Sequence, residues 1–243
     1  MIKPKIDHTG KVILVTGPAG NLGAAVVERF LEEDTSLILP DRDPDRIFER
    51  YPALAASPRH LLIPGVDLMD IGSVQAAVNS ALDIFGRIDC LVHTVGGFHM
   101  GEMVHEIDAQ NWERMMDINV KTLLNMVKAT FPVMVDQKDG MIITIGARPS
   151  LEGKKNMGSY SAAKAAVLRL TESLAKEGKS SGISARCVIP GTIDTAQNRR
   201  AMPDSNTKNW VKPAYLAEII YQLCNRAYTT DENVIIPVYK GKK

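Results

Sequence analysis

One short stretch does most to limit what this chain can fold into. An apolar, β-branched run, Lys11-Val-Ile-Leu-Val-Thr16, leads directly into Gly17-Pro-Ala-Gly-Asn-Leu-Gly23 and then into Ala24-Ala-Val-Val-Glu-Arg-Phe-Leu31. The first run reads as a buried parallel strand, and the last has helical periodicity. A glycine-rich turn between strand and helix points to a doubly wound α/β domain with a dinucleotide site. Gly17 permits the tight turn out of the strand, and Gly20 lets the backbone approach a pyrophosphate. Gly23 lets the helix pack close to the sheet. The helix N-terminus, at Asn21 and Leu22, then faces the negative charge.

The alternation continues to the end of the chain. Leu37–Leu39, Leu61–Ile63, Cys90–His93, Met141–Ile145, Ala185–Ile189 and Val234–Ile236 read as further strands. Helical stretches fall at about 21–33, 70–85, 108–136, 158–178 and 213–226. Strand–helix alternation with apolar strands predicts right-handed crossovers and one doubly wound, seven-stranded parallel sheet with helices on both faces. The 243 residues fit a single domain, 1–243, with no internal boundary. Ligands in such sheets bind outside the carboxyl ends of the strands. Asp41, Asp67, Gly96-Gly97 and Gly146-Ala147 follow strands two, three, four and five, so they border that edge.

Asp41 bears on which dinucleotide binds. A carboxylate there accepts hydrogen bonds from the adenosine ribose hydroxyls and repels a 2′-phosphate, favouring NAD(H) over NADP(H). Arg42 is placed to flank the adenine or to tolerate a phosphate, and Pro40-Asp-Arg-Asp-Pro44 also reads as a plain turn. Asp67 is placed to bond the adenine amino group or to cap the following helix, and both readings stay open.

Composition excludes more than it assigns. A formal charge of +1 gives no electrostatic case for nucleic acid or an anionic membrane. The three cysteines, Cys90, Cys187 and Cys224, show neither metal spacing nor a paired framework, and suit buried thiols in a reducing compartment. Met1–Asp7 lacks the apolar stretch of a signal peptide, and no run approaches membrane-spanning length. The chain therefore reads as a soluble cytoplasmic protein, with Lys240–Lys243 as a solvated basic tail.

Tyr160 and Lys164, in Gly158-Ser-Tyr-Ser-Ala-Ala-Lys164, fall one helical turn apart on one face. A cation beside a phenol stabilises the phenolate and lowers its pKa. Such a pair gives or takes the proton that hydride transfer to or from a C=O or C=N bond requires.

On these residues the chain resembles the short-chain dehydrogenases/reductases, from the first strand to the last. The resemblance implies NAD(P)-dependent hydride transfer on a small-molecule substrate, with Tyr160 as proton donor. It implies that Lys164 holds the nicotinamide ribose and that Asn119, in Asp117-Ile-Asn-Val-Lys-Thr122, supports a proton-relay water. Pro190-Gly191-Thr192 matches the family turn that cradles the nicotinamide end, and Gly96 lies on the same edge. The helices near 108–136 and 158–178 resemble those that pair family subunits, which implies a homodimer or homotetramer.

Three departures stand out. The family's catalytic serine lies thirteen residues before the tyrosine; position 160 − 13 = 147 is Ala147. Asn21 stands where compact members place a glycine, and Asn tolerates left-handed backbone angles. The family's Asn-Asn-Ala-Gly appears as His93-Thr-Val-Gly96, where His93 reads as a base or as a strand-end histidine satisfied by local hydrogen bonds.

Without the serine, Gly146-Ala-Arg-Pro-Ser-Leu-Glu-Gly153 is similar to the matching loop of the quinonoid dihydropteridine reductases. So are Gly96-Gly-Phe98, the glycine turn, and Asp194-Thr-Ala-Gln-Asn-Arg-Arg-Ala-Met-Pro203 with Trp210 and Pro213. That resemblance implies an acceptor already electron-poor, bordered by Ala147, Phe98 and Tyr160 under a lid over about 192–212. Arg199 and Arg200 read either as acceptor contacts or as part of a solvated short helix. Two alternatives remain at this stage. One is a general alcohol or carbonyl enzyme in which Thr144, Ser150 or Ser159 replaces the serine; the other is a non-catalytic, NAD-binding sensor or scaffold.

Overall fold

The computed structural model describes residues 8–225 and 233–239. The expected N-terminal segment at 1–7 and the basic end at 240–243 lie outside them. Strand β1 (Val12–Thr16) is buried at every position, and its alternating side chains feed two separate cores. Ile13 and Val15 face the helix α1 (Asn21–Leu31), where Val26, Val27 and Phe30 meet them. Val12 and Leu14 face the opposite side, against Val74, Val78 and Met126. Phe30 is wholly buried, so truncating its ring would cost about 3–5 kcal/mol.

The chain continues through β2 (Ser36–Asp41), α2 (Pro44–Arg50), β3 (His60–Pro64), α3 (Ile71–Phe85) and β4 (Cys90–His93). Next come α4 (Ala109–Met116), α5 (Thr122–Gln137), β5 (Gly140–Ile145), α6 (Gly158–Gly178) and β6 (Ile183–Pro190). The last described elements are α7 (Ala196–Ala201), α8 (Pro213–Leu223) and β7 (Ile235–Val238). All seven strands are parallel, in the order β3-β2-β1-β4-β5-β6-β7. The order reverses between β1 and β4, which opens the crevice where such sheets bind ligands.

Three local differences from the sequence reading matter for function. The helix expected over 108–136 is two helices, joined by a turn of π-helix over Asp117–Lys121. Such one-turn insertions carry an extra residue and re-aim a side chain, here Asn119. The 40–44 segment reads as a turn in sequence, yet it leads into helix α2, which Asp43 caps by accepting from the Arg46 N–H, with Pro44 in its first turn. Helix α7, the short helix offered as one reading of Arg199 and Arg200, is capped the same way by Thr195, which accepts from the Asn198 N–H. The last strand starts one residue later than expected and runs on to Val238.

Candidate active site

Backbone geometry dictates the glycine turn. Gly17 has φ +59°, and a Cβ there would stand 2.9 Å from Val95 Cγ2. A Cβ on Gly23 would collide with the Gly17 carbonyl oxygen. Gly20 is the N-cap of α1 and supplies no side-chain acceptor, so first-turn N–H groups stay open at the positive end of the helix. From beneath, the Tyr51 hydroxyl donates to the Pro18 carbonyl at 2.7 Å. Thr94 ties β4 to β1, its hydroxyl donating to the Thr16 carbonyl at 2.7 Å.

These residues wall a cleft of about 430 Å³, lined by Gly17, Gly20, Asn21, Leu22, Gly23, Asp41, Arg42, Asp67 and Gly96. Nine of the expected cofactor contacts therefore meet in one space. Asp41 is nearly buried and held from two sides, accepting from the Asp43 N–H at 3.0 Å and the Ala19 N–H at 3.4 Å. Arg46, also lining the cleft, donates to the Ala19 carbonyl at 2.6 Å. Sequence reasoning missed Arg46 because it missed α2; the Asp43-Pro44 cap was the signal that would have found it. Gln197 of α7 reaches the same cleft and was not foreseen. The helix-capping alternative for Asp67 is settled: Asp70 caps α3, while Asp67 accepts the Met69 N–H at 2.9 Å in the preceding turn. A glycine cradle that any Cβ would fill, an open helix N-terminus and a fixed strand-end carboxylate fit an NAD(P) dinucleotide.

The catalytic candidates gather beyond Gly96. A Cβ on Gly96 would stand 2.8 Å from Asn119 Oδ1 and 2.9 Å from Lys164 Nζ. Asn119 is buried, with Oδ1 accepting from the Gly97 N–H at 3.1 Å and Nδ2 donating to the Met115 carbonyl at 3.0 Å. The Lys164 ammonium donates to the Ile145 carbonyl at 3.0 Å. Burial pushes its pKa down to about 8.

The expected lowering of Tyr160 by Lys164 is corrected here. Burial alone pushes the Tyr160 phenol up to about 12, with no offset from the lysine. The two residues share a helix face, but the lysine head is drawn to the end of β5. Phe98, on the loop after β4, packs edge-on against the Tyr160 ring at 5.0 Å and 85°. That contact shields the phenol and orients it, while Phe98 itself stays 36% exposed.

Ala147 is buried in extended backbone at the start of the Arg148–Ser150 turn. Of the hydroxyls considered as replacements for the serine, Thr144 is fully buried and shares a 2.7 Å hydrogen bond with Thr171. The Ser150 hydroxyl donates to the Ala147 carbonyl at 2.6 Å. Ser159 is buried one residue before Tyr160, and so points about 100° away around the helix. His93 is not placed as a base. Its Nδ1 lies 3.2 Å from the Thr16 hydroxyl and its Nε2 3.3 Å from that of Thr122. Burial, with the Lys164 charge second, pushes its pKa down to about 3, so it is neutral at pH 7.

After β6 the Pro190-Gly191-Thr192 turn is fastened rather than free. The Gly191 N–H donates to the Val238 carbonyl at 2.8 Å, and the Thr192 carbonyl accepts from the Val211 N–H at 2.8 Å. The turn does not line the 430 Å³ cleft, which ends near Gly96 and Ile118. Of the two readings for Arg199 the structure favours the short helix: Arg199 lies on α7, and its Nε and Nη2 donate to the Asp194 carboxylate at 2.6 and 2.9 Å. Arg200 is solvent-exposed on α7. Among the described residues, no cluster of three His, Cys, Asp or Glu is placed to hold a metal, and no helix is long and apolar enough to cross a membrane.

Comparison with known proteins agrees with this geometry. The short chain dehydrogenase family matches residues 11–206. An uncharacterized oxidoreductase of Staphylococcus saprophyticus is 32% identical over 191 residues, 78% of this chain and 81% of that protein. The crystal structure of gox2181 superposes with a TM-score of 0.87 at 26% identity, over 96% of this chain and 95% of that one. Carveol dehydrogenase from Mycobacterium avium, solved in complex with NAD, has the same fold, with a TM-score of 0.85 at 23% identity over 96% and 98% of the two chains. With a glycine cradle on β1, a buried Asn119–Lys164 pair around Gly96 and Tyr160 one turn before that lysine, the chain belongs to the short-chain dehydrogenase family and is an NAD(P)-dependent oxidoreductase.

Proposed function

We propose that this enzyme uses NADH to reduce an electron-poor, conjugated acceptor, a quinonoid dihydropterin or a related activated heterocycle, with Tyr160 as the proton donor. One observation carries the reading: the carbonyl-polarising serine position is Ala147, and Thr144 and Ser150 are committed to other partners. Losing one such polarising donor costs about 3–4 kcal/mol of barrier for an ordinary carbonyl. A quinonoid dihydropterin is conjugated and electron-deficient already, so it accepts hydride without that help.

Bound NADH supplies the hydride. The protein supplies the proton and the positions. A phenol near pKa 12 is fully protonated at pH 7, which suits an acid in the reductive direction better than a base in the oxidative one. Lys164 holds the ribose and, once its ammonium turns toward the phenol, stabilises the phenolate left after proton transfer. Asn119 supports the water that returns the proton. Phe98 offers its exposed face to a flat ring, and Ala147 leaves room beside it. Pro190, Gly191 and Thr192 cradle the nicotinamide end, and the segment over 192–212 serves as the lid of a single domain, with Gln197 reaching over the cofactor cleft. The preference for NADH rests on the two-sided fixing of Asp41, which keeps its charge at the ribose edge. Exposed Trp112 on α4 and Leu124 on α5 suit a subunit interface, so we assign a homodimer or homotetramer, working in the cytoplasm.

The test is NADH oxidation followed at 340 nm with freshly generated quinonoid dihydropterin, simple ketones and quinones, the nonenzymatic pterin reaction subtracted. The expected result is rapid turnover of the pterin or a similar activated ring and little of the ketones. Preferential turnover of ketones overturns the acceptor assignment. Silence toward every acceptor with NADH still bound would favour a sensor.

A further inference from the structure

We propose that Cys90 and Cys224 form a reversible intramolecular disulfide when the protein meets a hydroperoxide. The two residues stand 134 positions apart in the chain, yet their sulfurs lie 2.7 Å from each other. Cys90 opens β4 and Cys224 follows directly on α8, so the pair sits at the amino-terminal edge of the sheet, opposite the catalytic edge. The sequence reading, which saw three unrelated thiols, had no means of bringing them together. Only the β1–β4 pairing and the packing of α8 beside it do so.

The surroundings divide the roles. Cys90 is 1% exposed, and burial pushes its thiol well above the usual range. Cys224 is 8% exposed and lines a small cleft of about 150 Å³ with His8, Lys11 and Asp89. Cys224 is the less buried of the two and borders this cleft, so it is the sulfur that reacts first and Cys90 the one that resolves. The Cys224 sulfur attacks one peroxide oxygen, the O–O bond breaks, and water (or an alcohol, from an organic hydroperoxide) leaves, giving a sulfenic acid. The Cys90 sulfur then attacks Cys224, the S–O bond breaks and a water leaves. The two thiols have lost two electrons and two protons, and the peroxide has been reduced. A low-molecular-weight thiol reverses the bond by exchange. Cys187 is buried on β6 with Thr144 and Gly146 and takes no part.

The full-length protein, reduced and then exposed to hydrogen peroxide, tests this. After unfolding, a thiol reagent should count one free cysteine in place of three, and digestion without reductant should yield a Cys90–Cys224 linked peptide. The oxidised protein should melt several degrees higher, because the cross-link closes a long loop of the unfolded chain. NADH turnover should stay within about twofold, since the pair lies at the far edge of the sheet. Cys224→Ser should leave Cys90 unmodified. Cys90→Ser should leave a sulfenic acid at position 224 that dimedone traps, and Cys187→Ser should still cross-link. Three free thiols after oxidation, or a linked peptide joining two chains, overturns the proposal.

Discussion

The two halves of the catalytic edge are built by different means. On the β1–β2–β3 side, backbone makes the site: the glycine turn is shaped by collisions that any Cβ would suffer, and Asp41 is fixed by two backbone N–H groups. On the β4–β5–β6 side, side chains make it. Asn119 is aimed by a π-turn, Lys164 by a strand-end carbonyl, and Tyr160 by the edge of Phe98. A backbone-built site tolerates little change and keeps one ligand. A side-chain-built site is altered by a single substitution, and the proposed role of Ala147 puts substrate choice on that side.

The comparison is open to attack from both sides. The largest effect should come from Tyr160→Phe, which removes the proposed proton donor and leaves the cleft intact. Turnover should fall by about 10²–10⁴, with the NADH dissociation constant, read by fluorescence titration, unchanged within about threefold. A loss of NADH binding instead would mean the two halves are not separable. Gly23→Val does the opposite experiment. Its side chain must displace the Gly17 carbonyl, so NADH binding should become undetectable and the protein should melt lower by several degrees.

Burial of Lys164 makes stability depend on pH. Its pKa is about 8 when folded and near 10.5 when unfolded. Below pH 8 both states hold the proton and the cost of burying the charge is constant. Above pH 8 only the unfolded chain keeps it, so the lysine's own contribution to stability rises with pH, by about 2 kcal/mol between pH 8 and 10. The buried thiols of Cys90 and Cys187 and the phenols of Tyr51, Tyr160 and Tyr221, whose pKa values burial raises, act in the opposite sense over this range. Denaturant titrations should therefore show the rise as a difference between the wild type and Lys164→Met, and a difference that stays flat over this range would mean the lysine is not desolvated. The smallest effect belongs to Asp41→Ala, which should shift the ratio of kcat/KM for NADH over NADPH by about tenfold toward NADPH, the worth of about 1.4 kcal/mol. No change in that ratio would remove Asp41 as the discriminator.

Much of this architecture was readable without coordinates, and unevenly so. The seven strands and the glycine cradle follow from apolar runs and from residues whose backbone needs are distinctive, so both emerged within a residue or two. Helix α2 was harder, because it is short and is defined by a capping side chain more than by an apolar face, and Arg46 was missed with it. The short helix α7 was one of two readings, but nothing in its pattern shows that Gln197 reaches the cleft. The Tyr160–Lys164 spacing correctly placed the pair on α6, but spacing carries no information about where a flexible lysine sends its charge. The ion pair of Arg199 with Asp194 and the meeting of Cys90 with Cys224 are likewise products of folded proximity that local pattern does not encode.

In the proposed function, the absence of a polarising hydroxyl at Ala147 selects an electron-poor acceptor. The most direct measurement compares the wild type with Ala147→Ser, taking kcat/KM for quinonoid dihydropterin and for a simple ketone with NADH. The serine should raise ketone turnover by about tenfold or more while pterin turnover changes by less than about threefold. Equal turnover of ketone by both proteins, at a rate matching or exceeding that of the pterin, would contradict it.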